Sequence, residues 1–288
     1  MKRPVLGFLR CLVATFRRFR TPLAVAGACV TAGQVAWWSA IGAWPFHDSV
    51  AYWLAGQHLL RGEPVYGNDP FLAFLYAPPI AVLLAPLSLI PMAWFVLGLF
   101  VAQVWALRYV AGSWTTAGLL GWLPVVPRAL VTGNVDLVMS AVILAALRSR
   151  PGSGVAAAVL AFCKYSPVLA VRRWREFVAA SLLLVTLTLP SWQLWLQYAT
   201  ALMGQQQESW WHPLTRLPLA VLLLVHGKPW ARAMAAGLAV PVFHYHSLVL
   251  LLPGARLLIE SQHSARPEAP SSAPPTSLVD ARIGIPGE

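Results

Sequence analysis

The sequence predicts an all-α polytopic membrane protein, a bundle of about eight to ten transmembrane helices with one external helix lying along the membrane surface. Three observations carry that reading. Of 288 residues, 58% are hydrophobic and only 11% charged, against about 25% charged in soluble domains. The mean hydropathy of +0.64 says that such a chain cannot cover a water-facing surface. The basic residues behind the net charge of +11 collect at the N-terminus and in short connections. That is the positive-inside pattern of a membrane protein, not a nucleic-acid-binding patch.

Taken in order, residues 1–21 form a basic cytoplasmic N-terminus, with Lys2, Arg3, Arg10, Arg17, Arg18 and Arg20 preceding any acid. Residues 22–43 make the first span. A cleaved signal peptide competes with that reading, because Ala26-Gly27-Ala28 before Cys29 resembles a processing site. The apolar run continues well past it, which argues for a span. The transmembrane unit extends over 22–261, and its first external loop, 44–71, holds Asp48, Glu63 and Asp69, three of the ten acids. Within it, Asp48 to Arg61 reads as a short amphipathic helix, with Val50, Trp53, Leu54 and Leu60 on one face. Tyr52 and Trp53 suit the membrane–water boundary. Gly62, Pro64 and Gly67 then turn the chain.

Further spans read as 72–90, 92–110, 114–131, 134–148, 154–171 and 176–196. After a polar loop at 197–213 come three shorter apolar runs, 214–227, 229–243 and 247–259, below the roughly 20 residues of a comfortable span. Broken helices lining a cavity would account for them. The tail 262–288, rich in Pro, Ser and Ala, reads as disordered. Ten crossings put both termini inside and place Arg172, Arg173, Arg175, Lys228, Arg232 and Arg256 inside too. Arg148 and Arg150 then fall outside, against the charge rule. Cys11, Cys29 and Cys163 show neither pairing nor metal spacing.

This topology brings four polar positions to the external side: the Asp48 loop, Lys164, the 205–216 loop and the His244–His246 turn. Asp48 opens a helix, where it would serve either as an N-cap or as a general base at the membrane surface. Glu63 and Asp69 sit among turn residues and read as solvated. Lys164, placed within an apolar helix about 12 Å from the Arg172 cluster, needs a partner or a wet cavity, and suits a phosphate. Asn134 or Thr132 would cap the helix that follows, but Asp136 inside that helix needs a buried partner. His244 and His246, at i and i+2, share a face only on an extended turn; a metal would need a third ligand that the sequence does not offer at set spacing. Arg216 would either snorkel or bind phosphate. Tyr52, Tyr66 and Tyr76 are substrate-binding candidates in the same external region. No P-loop, dinucleotide fingerprint or nucleophile elbow is present, and no cofactor is implied.

The order of these blocks is distinctive. An Asp just outside the first span is followed by LLRGEPVY, FLYAPPIAVLLAPLSLIP, GNVDLVMS, KYSP with RRWR, QESWWHPLTRL and PVFHYHSLVLLLP. Over roughly residues 40 to 255 the chain resembles glycosyltransferase family 87, the polyprenol-phosphate-mannose-dependent mannosyltransferases of the GT-C superfamily. The resemblance implies a GT-C-like bundle in the plasma membrane, with its active site on the extracytoplasmic side. It implies an inverting transfer of mannose from a polyprenyl-phosphate donor to a lipid or glycan acceptor. Asp48 stands at the family's catalytic aspartate, Lys164 at the lysine before its Ser/Thr-Pro step, Ser209 and Arg216 at its Ser … Arg offset, and His246 at its histidine. Gln207-Glu208 in place of Asn-Gln, His244 in place of Trp and Asn134 in place of Gln depart from the pattern. The alternative reading is a transporter or lipid-binding membrane protein without transfer activity.

Overall fold

The computed structural model describes residues 3–41, 45–66, 73–204, 212–240 and 242–264, and among them it contains helices and no strand. The helices are α1 (Arg3–Ala40), α2 (His47–Arg61), α3 (Pro78–Leu87), α4 (Met92–Ala111), α5 (Trp114–Leu120), α6 (Val125–Thr132) and α7 (Asp136–Leu147). There follow α8 (Ser153–Ala161), α9 (Trp174–Thr188), α10 (Trp192–Gly204), α11 (Pro213–His226), α12 (Pro229–Leu238) and α13 (Leu252–Ser264). Short 3-10 stretches lie at Ser166–Ala170 and Tyr245–Leu251.

Among the described residues, two helical stretches are long and apolar enough to cross a bilayer, Met92–Ala111 and Trp174–Met203, or three if the bent pair Val125–Thr132 and Asp136–Leu147 is one span. Of the most apolar 18 residues of the first two, only 22% and 17% are buried, so leucine, valine and tryptophan side chains face outward along both. Of the remaining spans expected from sequence, the described part of 22–43 continues α1 without a break, 72–90 and 214–227 hold only the short apolar helices α3 and α11, and others are broken. Gly121 and Pro124 separate α5 from α6, and α6 meets α7 at a bend of 109°. Gly133, at φ 72°, makes that bend; a Cβ there would lie 2.1 Å from Ser49 Oγ, so both the conformation and the space require glycine.

The expected span 154–171 is instead a hairpin. Its feet touch, with the Gly154 N–H donating to Glu176 Oε2 at 3.2 Å. Lys164 sits at its tip, between α8 and the 3-10 stretch, and not within a helix as the sequence suggested. Apolar composition alone does not distinguish a helix that crosses from one that turns back. The hairpin also removes the charge anomaly. Arg148 pairs with Glu260 at 2.7 Å, Arg172 donates to Leu147 O at 3.0 Å, and Arg173 donates to Ser149 O at 3.4 Å. Arg148 therefore lies at the same end of the body as Arg172 and Arg173. Arg256 joins them, bonding Glu260 and the Tyr109 and Val110 carbonyls that end α4. We call this the arginine end.

Residues 262–264, expected in the disordered tail, complete α13; the rest of that segment lies outside the described residues. The amphipathic helix expected after Asp48 is α2. It packs on α3, with Trp53 Nε1 donating to Ile90 O and Gln57 Nε2 to Ser88 O. Three buried clusters, around Met139 and Phe243, around Tyr52 and Ile80, and around Leu107 and Leu137, form the core between the short helices.

Candidate functional site

The end opposite the arginines is built from chain breaks. α2 starts from Phe46, whose left-handed conformation (φ 62°, ψ 24°) costs a non-glycine residue about 1 kcal/mol or more. Tertiary contacts hold it there. The Phe46 N–H donates to Val131 O at 2.6 Å, its ring meets Phe100 edge-on, and Ser49 Oγ donates to Gly133 O at 3.0 Å. These contacts pin the first turn of α2 to the α6–α7 elbow. Asp48 lies in that turn and does not cap the helix: Phe46 is the N-cap residue and no side chain caps.

The Asp48 carboxylate turns instead into a cavity of about 470 Å³. Asn134 Nδ2 donates to its Oδ2 at 2.7 Å, and His47 Nε2 lies 3.2 Å from Oδ1. Asn134 Oδ1 accepts the Asp136 N–H at 3.1 Å. That second bond fixes the amide, because its oxygen must face Asp136 and its NH2 must face Asp48. Burial raises the Asp48 carboxyl above its ordinary value near 3.8, opposed by His47, the Asn134 hydrogen bond and Lys164.

Asp136 is the first residue of α7, not an interior one, and is fully buried. Lys164 Nζ meets its Oδ1 at 2.5 Å, and Ser247 Oγ donates to its Oδ2 at 2.8 Å. His246 Nε2 lies 3.8 Å from the same Oδ2, is buried, and makes no hydrogen bond. Lys164 therefore brings its own counter-ion, and an ion pair this deep persists only because both partners are present and hydrogen-bonded. Burial pushes the His246 imidazole down to about 4, opposed by the Asp136 carboxylate. His244 has extended backbone, and its ring stacks on His246 with centroids 5.4 Å apart. This is the extended turn that lets i and i+2 share a face.

The cavity is lined by Asp48, Tyr52, Tyr76, Asn134, Lys164, His244 and His246 among others. Tyr52 and Tyr76 share a hydrogen bond of 2.8 Å between their hydroxyls. Three sequence candidates are not among the lining residues: Asp136, fully buried behind Lys164, Tyr66 and Arg216. Tyr66 donates to Tyr76 O at 2.8 Å and supports the wall. Arg216 is almost fully buried between α11 and α12, donating to Leu238 O with its guanidinium 5.6 Å from the Phe243 ring, and is not among the lining residues. Asp69 and Ser209 lie outside the described residues. The sequence reading missed Arg128, which lines the cavity and stacks over Trp38 at 4.1 Å. Its only sequence signal was a lone arginine inside the apolar run VVPRALV. Among the described residues no three His, Cys, Asp or Glu side chains are grouped as a metal site requires. Compared with family models, curated proteins and solved structures, the chain shows no match.

Proposed function

We propose that the chain is a polytopic plasma-membrane glycosyltransferase that moves a hexose, mannose by its resemblance to family 87, from a polyprenyl-phosphate donor to an extracytoplasmic glycolipid or glycan. The arginine end faces the cytoplasm and the cavity faces outward. The observation that supports this best is the Asp48 carboxylate. It lines a polar cavity, is held by a fixed amide, and has no capping duty to explain it. As general base it takes the proton of the acceptor hydroxyl while that oxygen attacks the anomeric carbon. The C–O bond to the phosphate breaks from the opposite face, configuration inverts, and the departing oxygen keeps the bonding pair. Charge grows on that phosphate, and Lys164 and Arg128 are the lining cations that can stabilise it. Arg216, lying off the cavity, is not assigned that role.

The test is transfer of labelled mannose from polyprenyl-phosphate-mannose to lipid acceptors by the purified protein in proteoliposomes. Transfer that depends on Asp48 supports the reading, and its absence with a panel of sugars and acceptors overturns it. A transporter or lipid-binding protein is the second reading, favoured by one observation: the buried Lys164–Asp136 pair lies where two helices break, as in carriers that couple ions to transport. Uptake or counterflow without transfer would select it.

A further inference from the structure

We propose that Arg128 and a groove beside α1 form one site for a single-chain lipid phosphate, with the phosphate on the Arg128 guanidinium and the hydrocarbon chain laid along α1. This rests on the donor being a polyprenyl phosphate, and it adds where that lipid lies.

The groove is a second cavity, of about 680 Å³, between α1, α4, α5 and α6. It exists because α1 leans on α5 through glycines. A Cβ on Gly27 would lie 2.1 Å from Gly118 O, and one on Gly118 would lie 2.4 Å from Ala24 O. Phe100 and Val104 of α4 and Leu130 of α6 line the groove together with α1. On α1 the track runs from Thr21 through Ala28 to Ala36, about 24 Å of helix. The lining residues of α1 recur at three- and four-residue intervals, so they share one face of the helix.

The head end carries the charge. Two residues past Ala36, Trp38 lies under the Arg128 guanidinium, whose Cζ is 4.1 Å from the ring centroid. Stacking holds the guanidinium plane and leaves its N–H edges free to fork onto two phosphate oxygens. Among the described residues no carboxylate forms an ion pair with Arg128. The same side chain lines the cavity that holds Asp48 and Lys164. Arg128 thus lines the polar cavity and, through Trp38, sits two residues beyond Ala36, the last α1 residue lining the track, which places a cation past the end of the groove, as an amphiphile with an anionic head requires.

The experiment uses the full chain in nanodiscs with a polyprenyl phosphate bearing a photoreactive group near the far end of its chain. After irradiation, peptide mapping should place the label on residues 21–36 of α1 or on the facing turns of α5. Unlabelled polyprenyl phosphate should compete. Polyprenol lacking the phosphate and phosphatidylglycerol should not. Arg128→Ala should cut labelling at least tenfold. Because that variant also loses its packing on Trp38, a second one separates folding from binding: Ala28→Phe, which fills the track and leaves Arg128 in place, should cut labelling comparably with an unchanged thermal unfolding midpoint. Labelling elsewhere, equal competition by polyprenol or phosphatidylglycerol, or unaltered labelling of both variants overturns the proposal. So does an Ala28→Cys disulfide between two copies, which would mean that a second chain covers the groove. Transfer activity is read separately. Groove labelling without transfer leaves this site standing and removes the transferase reading, whereas transfer with labelling elsewhere does the reverse.

Discussion

At the arginine end, charges hold helix ends together in partly exposed pairs; at the cavity end, they are buried and tied to one another. Arg148 and Glu260 keep 26% and 42% of their side-chain surface exposed, whereas Lys164 and Asp136 keep 10% and 0%. An exposed pair gains little, because water and salt already screen both ions. A buried pair costs much desolvation and is not the cheapest way to fill a core. Asp136, Lys164, Ser247 and His246 form one buried polar group, which is not how a core is made most stable. Under the proposed function, the difference between the ends distinguishes the site better than the presence of charge does.

The comparison first requires that the two ends face opposite sides of the membrane. In a background lacking the three native cysteines, Tyr245→Cys at the cavity and Arg150→Cys at the arginine end should behave oppositely. An impermeant thiol reagent added to intact cells should label the first and spare the second until the cells are opened. Equal labelling of both would break the two-ended picture outright.

Next in size is the chemical effect at Asp48. Asp48→Asn keeps the side-chain shape and an oxygen for the Asn134 NH2, but cannot hold a proton. Transfer should fall about 10²–10⁴-fold with unchanged expression and donor binding. Asp48→Glu should retain partial activity, since it keeps the carboxylate and displaces it by one methylene. Near-normal transfer by Asp48→Asn would remove the base from Asp48.

The buried pair gives a stability test. Asp136→Ala leaves Lys164 buried without its counter-ion and should cost about 3–5 kcal/mol, read as the unfolding midpoint in detergent. The double change Asp136→Leu with Lys164→Met removes both charges and should recover most of that loss while abolishing transfer. A double variant as unstable as the single would mean that the pair is held by more than mutual neutralisation.

The Asn134 amide predicts a pH effect. Burial raises Asp48, so the active carboxylate is lost as pH falls through a value above 3.8. The Asn134 hydrogen bond favours the ionised form and works against that rise. Asn134→Ala should move the acid limb of the transfer–pH profile further upward, leaving the rate at high pH less affected than the rate at low pH. A profile that drops uniformly would make Asn134 a substrate contact rather than a group that sets the base.

Much of this was legible in the residues. Apolar periodicity at Val50, Trp53, Leu54 and Leu60 gives α2, and the polar residues Asp48, Asn134, Lys164 and His244 stand out against an apolar chain. What the sequence hides is where the chain turns back. The run around Lys164 is as apolar as a span, so the hairpin it tips was invisible, and the expected separation of Arg148 from Arg172 and Arg173 onto opposite sides fell with it. Asp48 looked like a cap because capping is read from neighbours in sequence, whereas its partner Asn134 is 86 residues away. Arg128 was overlooked and Arg216 promoted for the same reason. Both are single arginines in apolar helices, and only packing shows that one reaches the cavity while the other is spent on Leu238 O and Phe243.

The smallest effect belongs to the arginine end. Arg148 donates to both oxygens of Glu260, at 2.7 and 2.8 Å, and Arg256 shares that carboxylate at 2.7 Å. Geometry this good would be worth several kcal/mol if it were dry. The exposure of Glu260 and Arg148 says that it is wet, so Arg148→Ala should cost no more than about 1 kcal/mol and leave transfer unchanged. Arg256 can keep Glu260 satisfied when Arg148 is gone, which limits the loss further. The cost should shrink with added salt, since exposed pairs are screened over about 10 Å at 0.1 M ionic strength, whereas the Asp136→Ala defect should be insensitive to it. If Arg148→Ala instead destabilised as strongly as Asp136→Ala, independently of salt, the arginine end would be desolvated too. Burial of charge would then no longer mark one end as the site.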